Sequence, residues 1–219
     1  VKLIAGLGNP GREYERTPHN VGFDVVELLC RRLGGEWRLS AKFEARVARV
    51  SLDGDSLLLV QPQTFMNASG QCVGALMRYY RMEPADVVSV LDDVELPPGK
   101  LRIRAGGGNG GHNGLASLIS HLGTADFPRV RIGVGRGAYE GQGLVGHVLG
   151  RFPVDVQTAI DEVLPVAADA VLQVVRCGTG DAMNKYNGFN LEAVRSETVQ
   201  TPTGEDVRTT KEQGAEKPC

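Results

Sequence analysis

Val1-Lys2-Leu3-Ile4-Ala5-Gly6-Leu7-Gly8-Asn9-Pro10-Gly11 decides the fold class, because it joins the short apolar run of a buried strand to a glycine-rich turn. From Gly6 to Gly11 it is a literal GxGxxG, which on pattern alone invites a dinucleotide-binding reading. Pro10 removes a backbone donor, however, and Arg12-Glu13-Tyr14-Glu15-Arg16-Thr17-Pro18 delays the helix whose free N–H groups would meet a pyrophosphate. No acid stands at the end of a following strand to hold a ribose, since Asp24 and Glu27 fall inside the first helical stretch. A strand-to-loop turn is the better reading.

Working outward, residues 20–33 carry Val21, Val25, Leu28, Leu29 and Leu33 at helical spacing, with Gly34-Gly35 as a stop. Residues 43–52 alternate at period two and 56–60 are apolar, which predicts a hairpin turning at Asp53-Gly54. A second helix is predicted over 68–81, capped by Asn67 or Ser69, and a strand over 87–91. Further strands are read at 101–105, 130–134 and 145–149, with a helix at 115–122. Residues 153–177 form a long helical pattern, bent or interrupted by Pro165, before a short helix at 181–187. The expectation is a single α/β domain over 1–195, a mixed twisted sheet with helices on both faces. After Ser196 large apolar residues nearly vanish, so 196–219 is expected to be a disordered polar tail.

Composition narrows the function classes. The 219 residues suffice for one sizeable core, and no apolar run approaches the roughly 18 residues of a membrane span, so a cytoplasmic protein is expected. The tail holds five acids and three bases, which leaves the rest of the chain electrically balanced despite a net charge of -2. Any nucleic-acid contact must then be a local basic patch. Cys30 and Cys72 lie in apolar helical patterns and read as buried thiols, and the four histidines are scattered without ligand spacing, so no metal is expected.

Two more segments are candidates for chemistry. Thr17-Pro18-His19-Asn20 puts an imidazole at the mouth of a helix, above the end of a strand. Gly106-Gly107-Gly108-Asn109-Gly110-Gly111-His112-Asn113-Gly114 has so little side chain that its backbone is suited to approach a ligand closely, though a flexible linker would look similar. Five blocks now stand in order: GLGNPGxxYxxTxHNxG from Gly6, TFMNxSG from Thr64, LPPG from Leu96, GGGxGGHNG from Gly106 and RxRIGxG from Arg129. In order and spacing they resemble the signatures of bacterial-type peptidyl-tRNA hydrolases, over about residues 1–190.

That resemblance implies hydrolysis of the ester between a peptide and tRNA, without cofactor or metal, by a monomer. It puts the family's general base on His19, the acid that orients it on Asp92, and positioning amides on Asn9, Asn67 and Asn113. Tyr14, Met66 and His112 fall on substrate-binding positions, and Arg102, Arg104 and Arg131 on positions that hold tRNA phosphates. The chemistry suits the residue types, because an imidazole can deprotonate water near neutral pH while a carboxylate fixes its tautomer. No GxSxG elbow offers a serine nucleophile, and no cysteine lies in a polar, glycine-rich segment. Leu91 and Asn109 stand where many members carry histidine. An alternative is kept open, since some relatives in plant organelles share the fold and serve as RNA-splicing partners.

Overall fold

The computed structural model describes residues 1–136 and 150–192. Among these, seven strands form one mixed sheet in the order β2-β3-β4-β1-β5-β7-β6. The elements are β1 (Lys2–Gly6), α1 (Val21–Arg32), β2 (Arg38–Ser40), β3 (Ala45–Leu52), β4 (Asp55–Pro62), α2 (Ser69–Tyr79), β5 (Val87–Asp93), β6 (Leu101–Arg104), α3 (Asn113–Leu122), β7 (Arg129–Gly133), α4 (Val154–Cys177) and α5 (Thr179–Tyr186). Strands β4, β1, β5 and β7 run parallel, flanked by antiparallel β3 and β6. The expected mixed α/β architecture is the one observed.

Parallel strands covered on both faces are largely apolar on both, which is why β1 and β5 read as apolar runs, broken in β5 only by the buried Ser89 before its terminal carboxylates, and not as alternation. Ile4, Val88, Val90 and Ile132 pack with Val25 and Leu29 of α1 and with Ile160, Val163, Ala167 and Val171 of α4. On the opposite face Leu3, Ala5, Val60 and Leu91 pack with Val73 and Leu76 of α2 and Leu115 and Leu118 of α3. Cys30 and Cys72 are buried free thiols in these two layers. No helix among the described residues is long and apolar enough to cross a membrane.

The structure differs from the sequence reading in several places. Strand β2 was not expected, for its residues are largely exposed and it exists by pairing with β3. Helix α4 continues through Pro165 without a break, because one lost backbone hydrogen bond is offset by the buried Ile160, Val163, Ala167 and Val171 on either side. Neither Asn67 nor Ser69 caps α2, whose N-cap is Ala68; a 3-10 turn at Met66–Ala68 precedes the helix and carries Asn67. Helix α3 starts two residues early, at Asn113, because the His112 side chain caps it. Strand β5 extends to Asp93, so it carries both carboxylates inside the sheet. The strand read at 145–149 and the tail over 196–219 lie outside the described residues.

Candidate active site

The chain leaves β1 towards α1 on one face, whereas the segment that follows β5 reaches α3 on the other. Loops at the carboxyl ends of these neighbouring strands therefore diverge and open a crevice, the position where open α/β sheets bind ligands. His19 enters it from a 3-10 turn (Pro18–Asn20) and Asp92 from β5. Thr17 fixes that turn, its hydroxyl donating to Tyr14 O at 2.7 Å and its carbonyl accepting from Asn20 N at 2.9 Å.

His19 Nδ1 lies 2.9 and 3.0 Å from the two oxygens of Asp92. Burial alone would raise the Asp92 pKa, but the imidazoles of His112 and His19 outweigh it and hold the carboxyl below its ordinary range. An ionised carboxylate only accepts, so His19 donates Nδ1–H and keeps a lone pair on Nε2. His112 Nδ1 accepts from Gly114 N at 3.1 Å and Leu115 N at 3.3 Å, so its proton sits on Nε2, which donates to Asp92 Oδ1 at 3.0 Å. Two imidazoles thus flank one carboxylate with opposite tautomers.

Side-chain atoms of His19, Asp92 and His112 lie within 4.8 Å of one another, close enough to suggest a cation site. The donor set does not fit one. A metal on His112 Nε2 would need the ring proton on Nδ1, where two backbone N–H groups already point.

Asn9 is pinned by a residue that the sequence reading left unassigned. Asn9 N donates to Asn20 Oδ1 at 2.9 Å, Asn20 Nδ2 donates back to Asn9 O at 3.0 Å, and Met66 N donates to Asn9 Oδ1 at 2.8 Å. With its oxygen engaged, Asn9 keeps Nδ2 as a donor with no hydrogen-bond partner among the described residues. The signal for Asn20 was present as the residue after His19, but its partner could not be read from spacing. Asn67 and Asn113 are exposed, and neither amide bonds to another described residue. Met66 is buried, and a Cβ at Gly114 would stand 2.5 Å from its Sδ and 3.0 Å from His112 Cε1. Tyr14 is half-buried at the foot of the turn.

The GxGxxG glycines serve packing. A Cβ on Gly6 would be 2.3 Å from Gly22 O, and one on Gly8 would be 2.8 Å from the Phe23 ring. Both glycines let α1 lie close against the turn. Beyond Asn9 and Asn20 a cavity of about 380 Å³ is lined by Arg12, Phe23, Asp24, Arg46 and Gln61, away from His19 and Asp92.

The three arginines assigned to tRNA phosphates are not equivalent. Arg102 and Arg104 are exposed on edge strand β6, two residues apart on one face. Arg131, opposite Arg102 on β7, is ion-paired at 3.1 Å with the buried Asp93. Opposite Arg104 lies Arg129, which is 2% exposed and which the sequence reading passed over.

Residues 3–194 match the profile of the family described as Peptidyl-tRNA hydrolase. The chain is 47% identical over 190 residues to the peptidyl-tRNA hydrolase of Geobacillus kaustophilus, covering 85% of this chain and 100% of that protein. Identity to the Listeria welshimeri peptidyl-tRNA hydrolase is 46% over 187 residues, again 85% of this chain and 100% of the relative. The crystal structure of peptidyl-tRNA hydrolase from Acinetobacter baumannii superposes with a TM-score of 0.81 at 36% identity, covering 87% of this chain and 96% of that one. Sequence and fold agree over nearly the whole described length, and the chain belongs to the peptidyl-tRNA hydrolase family.

Proposed function

We propose that the protein hydrolyses the ester between a peptide, or an N-blocked amino acid, and the 3′ end of tRNA, with His19 as general base. The observation that carries this reading is the contact of His19 Nδ1 with both oxygens of Asp92: the carboxylate accepts a hydrogen bond from Nδ1–H, which leaves the Nε2 lone pair to accept a proton from water. As hydroxide adds to the ester carbonyl, His19 becomes imidazolium, and the buried Asp92 carboxylate stabilises that charge. Asn9 Nδ2 is the donor for the developing oxyanion. The exposed amides of Asn67 and Asn113 hold the peptide backbone, with Met66 and His112 forming the floor and Tyr14 the rim. Collapse of the tetrahedral species breaks the ester C–O bond, the ribose oxygen takes the proton from His19, and the products are free tRNA and a peptide carboxylic acid, which loses its proton to solvent.

Arg102 and Arg104 supply exposed charge for the tRNA backbone, and Arg131 joins them when a phosphate competes with Asp93. The decisive experiment is release of tRNA from an N-acetylated aminoacyl-tRNA. His19→Ala should lower kcat by on the order of 10²-fold or more with tRNA affinity nearly intact. Near-normal turnover in the folded variant refutes His19 as base. Binding of RNA with no release by the wild type at any pH refutes hydrolysis and favours an adaptor.

A further inference from the structure

We propose that Arg129 is a positioning residue of this active site: its buried guanidinium fixes the glycine loop 106–111 and so keeps His112 on Asp92. The inference rests on the hydrolase reading above. Arg129 is 2% exposed, and no carboxylate pairs with it among the described residues. Instead Nη1 donates to Gly107 O at 2.9 Å and Gly108 O at 3.1 Å, Nη2 donates to Ala125 O at 2.7 Å, and the group sits 4.5 Å from the centre of the buried Phe127 ring. Nε is buried with no hydrogen-bond partner. Burial, and then the charge of Arg131, press the Arg129 pKa down.

A buried cation hydrogen-bonded only to carbonyl oxygens, with Asp126 as a nearby but unbonded counter-charge, costs stability that an apolar side chain of similar volume would not. Filling space under the loop therefore does not account for an arginine here. The fork supplies direction, because Nη1 holds two successive carbonyls, Gly107 O and Gly108 O, while Nη2 is fixed on Ala125 O. That geometry has Gly107 at φ +126°, where only glycine is at ease. A Cβ at Gly107 or Gly108 would meet nothing within 4 Å, so neither is needed for close packing, and Gly107 serves backbone conformation.

From that anchor the bonds run on to the chemistry. Asn109 follows Gly108; its side chain accepts from Gly111 N at 3.1 Å and its carbonyl from His112 N at 3.0 Å. His112 then caps α3 and donates to Asp92. Arg131, two residues along on the same face of β7, brings Nη2 to 3.4 Å from the Cβ position of Gly110. One strand thus carries the anchor of the loop and an arginine proposed for tRNA.

The test compares wild type, His19→Ala, Arg129→Met, Arg129→Lys and Gly107→Ala in single-turnover release of tRNA from N-acetylated aminoacyl-tRNA, below the melting point of every variant. Arg129→Met should lower kcat by about 10-fold or more with KM changed by less than about 3-fold. Lys, which keeps the charge but not the fork, should recover part of the loss. Without the His112 donor the Asp92 charge acts on His19 alone, so the acid limb of kcat against pH should move to higher pH, and amides 107–112 should exchange faster with deuterium. A merely structural arginine would lower the melting point and leave kcat and the acid limb in place, which overturns the proposal. Gly107→Ala perturbs the same anchor from an exposed position, so if Arg129→Met does not fold, an unchanged kcat and acid limb in Gly107→Ala overturns it equally. An inactive wild type removes the hydrolase reading, while faster exchange of the loop amides still reports on the anchor.

Discussion

Asp92→Asn perturbs the site at the atom that both imidazoles share. Oδ1 accepts from His19 Nδ1 at 2.9 Å and from His112 Nε2 at 3.0 Å, while Oδ2 lies 3.0 Å from His19 Nδ1. An amide with its oxygen at the Oδ1 position turns NH₂ against the Nδ1–H of His19. The flipped amide turns NH₂ against the Nε2–H of His112, whose tautomer is fixed by Gly114 N and Leu115 N. It also lets His19 accept at Nδ1, moving the His19 proton to Nε2, where a base cannot carry it. Each hydrogen bond to a charged group exceeds a neutral one by about 1–1.5 kcal/mol. Two such bonds give about 2–3 kcal/mol, and the lost stabilisation of imidazolium adds to it, so kcat should fall by about 10²-fold or more. The assay is single-turnover tRNA release across pH, with circular dichroism and thermal melting to establish that the near-isosteric variant is folded. Turnover within about 3-fold of wild type at every pH would refute the shared-acceptor reasoning.

Three further outcomes are expected. Arg102→Gln and Arg104→Gln should each weaken tRNA binding and flatten its salt dependence by about one counterion, with kcat at saturation largely retained; binding measured against salt concentration checks this. Arg131→Gln should in addition lower the melting temperature, because it leaves the buried Asp93 carboxylate without its cation, and an unchanged melt would count against that ion pair. Burial, opposed by Arg16 and aided by Asp161, raises the Asp24 pKa from 3.8 to about 6. The folded state thus holds this proton more tightly than the unfolded chain, and stability present below pH 3.8 is lost as pH rises to about 6. Asp24→Asn should therefore be more stable than wild type above pH 6, by up to about 3 kcal/mol, and equal to it below pH 4; urea midpoints at the two pH values decide.

The sequence made the central strands legible because burial on both faces leaves unbroken apolar runs such as Leu3-Ile4-Ala5 and Val87-Val88, which survive any register. It hid β2, whose existence depends on a partner strand and not on its own pattern. His19 and Asp92 are 73 residues apart, so no local spacing could join them, and only the order of the motif blocks did. Asn67 looked like a helix cap because residue type and position both allowed it, but the intervening 3-10 turn moved the cap to Ala68. His112 was read only as a substrate-binding position because a histidine that caps a helix with Nδ1 while donating from Nε2 has no signature in one dimension. Arg129 was passed over for a similar reason. Its neighbours in sequence mark a strand, and only the pairing of β7 with β5 and β6 places it beneath the glycine loop.

Gly22 has a consequence for how the protein can vary. A Cβ there would stand 2.3 Å from Val90 O and 2.5 Å from Leu7 O, so α1 rests backbone to backbone on β5 and on the turn that leaves β1. Val90 is two residues before Asp92, and Gly22 three after His19. The helix thus acts as a spacer gauge between imidazole and carboxylate, with main-chain atoms as its stops. Exchanges among Val25, Leu29 and Ile160 alter volume, to which neighbouring rotamers can adjust. A single methyl group at Gly22 has no rotamer to adjust and must lift the helix start bodily, which carries His19 away from Asp92. Tolerance to substitution in α1 is therefore set by leverage on the contact between His19 and Asp92 more than by depth of burial.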